Sequence, residues 1–112
     1  MEKSILTYIK KFNNIEECDE DFDMDIVMLT NAEIAKLSQL GVGSSDVFLI
    51  EDKKAEWTDY IQDPVLLGFV PQFLAIAVRL TFDPPTNATL LDSFKKKQDE
   101  LEYRIKAHLE YF

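Results

Sequence analysis

The 112-residue chain is predicted to fold as one mainly α-helical domain. The expected architecture is a small helical bundle containing an αα-hairpin, made of a central apolar helix and a long C-terminal helix, plus one extended loop. Three observations lead there. Glycine and proline are scarce, at 3 and 4 residues. Apolar residues recur at helical spacing through most of the chain. The motif Asp83-Pro84-Pro85 separates two long helical runs with too few residues for anything but a sharp reversal. A hydrophobic fraction of 46% beside 29% charged residues suits a folded chain rather than a disordered one.

The first element is a short helix with Ile5, Ile9 and Phe12 on one face, ending at Asn13-Asn14. The second lies in EECDEDFDMDIVMLTNAEIAKLSQLGVG, where Phe22, Ile26, Leu29, Leu37 and Leu40 approximate one apolar face with Ile34 beside it. Acids crowd its first turn, where the partial positive charge of a helix N-terminus favours them. Gly41 and Gly43 supply the stop.

Residues 42–54 change character. Gly-Ser-Ser is a loop signal, and Val47-Phe48-Leu49-Ile50 reads as a short extended run. A lone strand leaves its backbone groups unpaired, and no second strand is evident nearby, so the expected partner is another chain. A short helix around AEWTDYIQ carries Trp57 and Ile61, and Asp63-Pro64 is expected to end it.

The run VLLGFVPQFLAIAVRLTF approaches the ~20 residues of a membrane span. Pro71, Gln72 and Arg79, with no flanking basic loops, favour a buried central helix with Pro71 in its first turn and its end near Phe82. Thr86 or Asn87 can cap the final helix. Its inner face is marked by Leu90, Phe94, Leu101, Ile105 and Phe112, interrupted at Lys97 and Gln98. Three acid-before-base pairs at i,i+4 support it: Asp92 with Lys96, Glu100 with Arg104, Glu102 with Lys106. A helix of about 25 residues is a rod of roughly 37 Å, so its far end is expected to project from the bundle or meet a partner.

The search for chemistry finds little. Twelve basic residues face 21 acidic ones, a net charge of −9, which argues against gripping phosphate backbones. The one histidine, His108, has no Ser or Cys nucleophile near it in sequence. Cys18, the sole cysteine, excludes an internal disulfide, fits a reducing compartment, and sits among acids that disfavour a thiolate. The N-terminus has no signal-peptide core, which points to the cytosol. Asp19, Asp21 and Asp23 have the alternating spacing of a calcium loop, but Met24 and Thr30 stand where that loop needs glycine and glutamate. The Asn-Ala-Thr sequon has no secretory context. No enzyme, cofactor or metal site is expected.

Four stretches in order, Phe22–Ile26 (FDMDI), Asn31–Gly43 (NAEIAKLSQLGVG), Phe82–Pro85 (FDPP) and Glu100–Arg104 (ELEYR), resemble the head–tail connector, or adaptor, proteins of tailed bacteriophages of Gram-positive hosts. The likeness covers about residues 20–106, with Pro71 a departure from the pattern. It implies a structural virion protein at the head–tail interface, made in the host cytoplasm and assembled as a ring of about twelve copies. The ring would join the portal to the stopper or tail-completion protein, with genomic DNA passing through and no membrane contact. On that footing Val47, Phe48, Leu49 and Ile50 are expected at the subunit interface, and Tyr103, His108, Tyr111 and Phe112 against the portal or a neighbouring subunit. Asp19, Glu20, Asp21 and Asp23 are candidates for the conduit wall. Read from charge alone, an acidic DNA mimic or a helical regulatory module stays open. The apolar loop weighs against a free monomer of either kind.

Overall fold

A computed structural model describes residues 2–43 and 48–111. Among these described residues five helices follow in order: α1 (Ile5–Phe12), α2 (Asp23–Leu40), α3 (Trp57–Tyr60), α4 (Pro64–Phe82) and α5 (Ala88–Tyr111). α4 is the centre, and α1, α2 and α5 all pack on it. Its segment Phe73–Val78 is buried at every position. This explains why α4 is apolar nearly all round, and long and apolar enough to cross a membrane, while half of it lies buried in the bundle.

The start of α4 differs from the expectation. Pro64 does not merely follow α3; it opens α4, with Asp63 as N-cap accepting from the Val65 amide. Pro at the first helical position loses no bond that the helix could have made. Pro71 consequently lies inside α4 rather than in its first turn. It removes one backbone donor, the partner of the Leu67 carbonyl, yet the helix continues because its surroundings bury it.

The core stripe of α2 also shifts. Ile26, Thr30, Ile34 and Leu37 are buried, at steps of four, four and three, so Ile34 is central rather than peripheral. Leu29 and Leu40 are half-buried and Phe22 is exposed at the N-cap. The helix stops as expected at Gly41, whose φ of 105° suits glycine. Gly41 N–H donates to Ser38 and Val42 N–H to Leu37, and the buried Val42 packs into the core beside Leu37.

The N-terminus is tied to the segment before α3. Ser4 caps α1, its hydroxyl donates to the Lys53 carbonyl at 2.7 Å, and Ser4 and Glu56 form the β-bridge seen among the described residues. The buried Trp57 then meets Tyr8 edge to face at 5.4 Å. Lys10 is almost fully buried, with its ammonium 2.7 Å from Asp23 Oδ1 and donating to the Glu17 carbonyl, and so fastens α1 to the start of α2.

The reversal between α4 and α5 forms where Asp83-Pro84-Pro85 places it, and Asn87 is the cap, accepting from the Leu90 amide at 3.0 Å. α5 runs back along α4. Its far end does not project as a free rod: His108 Nε2 lies 2.6 Å from Asp63 Oδ2, at the opposite end of α4 from the reversal. Because α4 begins at Pro64 and not near Pro71, it is long enough to cover the rod.

Candidate subunit and partner interfaces

The loop expected at a subunit interface divides residue by residue. Val47 lies outside the described residues. Phe48 is half-buried and stacks on Tyr60 with ring centroids 4.8 Å apart. Leu49 is 57% exposed, whereas Ile50 is buried in the core of its own subunit. The segment has an internal partner, though not a strand. The Asn31 side chain takes the place of a strand: Ile50 N–H donates to Asn31 Oδ1 at 2.8 Å, and Asn31 Nδ2 donates to the Ile50 carbonyl at 2.9 Å. One carboxamide thus satisfies both backbone groups of a buried residue. Leu49, on the outward side of this clamp, is the described residue of the segment left exposed.

Tyr103 and Tyr111 are both exposed on α5, and with Val65, Phe69 and Ala107 they line a shallow groove between α4 and α5. Arg104 and His108 complete it. His108 is half-buried rather than a free surface imidazole. A carboxylate can only accept, so His108 Nε2–H donates to Asp63, and that hydrogen bond is the main reason the Asp63 carboxyl is held below its ordinary pKa. Phe112 lies outside the described residues.

The acidic cluster is not uniform. Glu20 and Asp21 are exposed, Asp19 accepts from the Asp21 amide through Oδ1, and Asp23 is engaged by Lys10. Only the first two point free carboxylates outward with no role in the local fold. Among the described residues no three His, Cys, Asp or Glu side chains converge as metal ligands. Cys18 is exposed beside the Glu16 carboxylate.

One surface was not anticipated. Met24 and Met28, successive turns of α2, are 78% and 67% exposed. Beside them Leu29 and Phe82 floor a shallow groove edged by Asp25 and Thr81, and Phe22 stands edge-on to Phe82 at 5.5 Å. The signal was present as apolar residues on two faces of α2, with Ile26 and Ile34 on one and Met24 and Met28 on the other. Methionine is common in cores, so periodicity alone does not mark it as exposed.

The described residues thus bury a core and still display separate apolar surfaces on α2 and on α4–α5. The chain matches the phage connector protein family over residues 5–112. It belongs to that family. The match extends beyond the motifs of residues 20–106 to include α1 and the end of α5. No curated protein and no solved structure matches the chain. As a phage connector, it is a virion-associated structural protein that works through contacts with other virion proteins. Its exposed apolar surfaces are where such contacts are to be sought.

Proposed function

We propose that this connector is a head–tail adaptor. About twelve copies form a ring under the portal and join it to the stopper or tail-completion protein, and the genome passes through the ring. The observation that supports this reading most is family membership over nearly the whole chain, in a subunit that keeps two separated apolar surfaces exposed. A subunit in a ring needs contacts on two sides as well as above and below. An acidic DNA mimic has no need of exposed Met24, Met28, Tyr103 and Tyr111.

The charge fits the same role. Glu20 and Asp21 are the wall candidates, since a passing duplex of like charge does not adhere to carboxylates, whereas a basic wall would bind phosphates. Asp23, tied to Lys10, contributes little free charge. Replacing Glu20 and Asp21 by Lys is expected to leave assembly intact and slow genome ejection.

The role itself is tested by deleting the gene from the phage. DNA-filled heads and complete tails that do not join are expected. Joined, infectious particles without this chain would refute the reading.

A further inference from the structure

We propose that the exposed methionine face of α2 on one subunit docks onto the tyrosine-bearing face of α5 on the next copy of the chain, in a head-to-tail contact. The inference rests on the ring reading above and specifies which surfaces meet. It is carried by how charge is distributed around the two apolar patches. Between residues 16 and 36 stand eight of the chain's 21 acidic residues and one base, Lys36. Met24 and Met28 therefore sit on a negative stretch of the chain, with Asp25 at the edge of the groove beside Met28. A two-fold contact of this face with itself would set carboxylates against carboxylates, which is repulsive.

The α5 surface differs. Residues 88–111 hold five bases, Lys95, Lys96, Lys97, Arg104 and Lys106, balanced by five acids. Lys95 has no ion-pair partner among the described residues, and Lys96 pairs only with the exposed Asp92. Lys96 lies two turns before Tyr103 on the same face of α5, where Tyr103 is 73% exposed, and Tyr111, two turns further on, is 75% exposed. α5 thus carries exposed aromatic anchors and available cations on a helix of balanced charge, a surface that an acidic methionine face can approach without the repulsion of its own copy. Methionine side chains adapt to rings and make favourable sulfur–aromatic contacts. α2 and α5 are different helices, each packed on α4, so one subunit can use both faces at once. A contact between two different patches propagates from copy to copy and closes into a ring if the rotation allows.

The test uses phage assembled with variants carrying Cys18→Ser to remove the native thiol. Met28→Cys and Tyr103→Cys are introduced singly and together, and particles are treated with a short bismaleimide. The double variant is expected to give a ladder of covalent multimers reaching beyond the dimer, and each single variant to remain monomeric. Dimers from Met28→Cys alone would show a two-fold α2 contact and overturn the proposal. So would particles that contain the double variant but yield no multimers, while the adaptor reading stands. Particles that assemble and infect without the chain would overturn both. As a second readout, Met24→Ser/Met28→Ser and Tyr103→Ser/Tyr111→Ser chains that keep wild-type melting temperatures should each fail to enter particles. Either pair entering at wild-type level would overturn the proposal.

Discussion

Replacing Asn31 by Ala isolates the clamp that holds the loop to α2. The side chain makes two hydrogen bonds to Ile50, at 2.8 and 2.9 Å, and Ile50 is 1% exposed. Without the carboxamide, a buried amide and a buried carbonyl both lose their partners. Each such group costs about 1–3 kcal/mol when left unpaired. Asn31 is itself half-buried and Leu49 exposed, so water can recover part of the loss, and ~2–4 kcal/mol is expected in total. That is a large share of the ~5–15 kcal/mol typical of a domain. Urea unfolding followed by circular dichroism should show a lower midpoint at an unchanged slope. Asn31→Asp adds a chemical check. A carboxylate can accept from Ile50 N–H but faces the Ile50 carbonyl with a second acceptor, so at neutral pH it should behave like Ala. At acid pH the protonated form can donate and should recover stability relative to Ala. A loss below about 0.5 kcal/mol for Asn31→Ala would show that the loop holds without the clamp.

Other substitutions probe separate contacts of the fold. Asp23→Ala leaves the buried Lys10 ammonium without its carboxylate and should cost about 3 kcal/mol, against ~1 for Lys10→Met, which leaves Asp23 free to hydrate; equal urea midpoints would contradict this. The Tyr60 hydroxyl is buried with no hydrogen-bond partner among the described residues, so Tyr60→Phe should be neutral or up to ~1 kcal/mol stabilising at pH 7. Burial raises the Tyr60 pKa, so its contribution is present below the unfolded value of about 10 and is lost as pH rises toward the folded one. Thermal melts should accordingly show a flatter alkaline decline in the Phe variant. The Asp63 pKa is depressed, so its contribution is present above the unfolded carboxylate value of about 4 and is lost as pH falls through the folded one. A carbon-detected titration should find the Asp63 pKa higher in His108→Gln, and an unmoved value would remove His108 as its cause.

Features written in local chemistry were legible in the sequence, and those made by distant pairs were not. The break at Asp83-Pro84-Pro85, the Asn87 cap and the Gly41 stop each follow from a few adjacent residues, and each appears where expected. The clamp between Asn31 and Ile50 spans 19 residues, and the tie between Asp63 and His108 spans 45. No periodicity announces either. Pro64 and Pro71 both satisfy the rule for a helix's first turn, and only the capping bond from Val65 to Asp63 decides between them. Moving that start by two turns also explains why α5 is covered rather than projecting. In the candidate interfaces, Tyr103 and Tyr111 stand out as aromatic residues on a polar helix face. Lys10 is the opposite case, a lysine that composition assigns to the surface and the fold buries against Asp23.

The proposed adaptor role would place this connector between the portal and the next tail component. Electron cryomicroscopy of the complete phage tests it most directly. A ring of helical density is expected directly beneath the portal, into which this helical subunit fits, with α2 of each copy facing α5 of its neighbour. Density for the chain elsewhere on the virion, or a portal that meets the tail with no intervening ring, would contradict it.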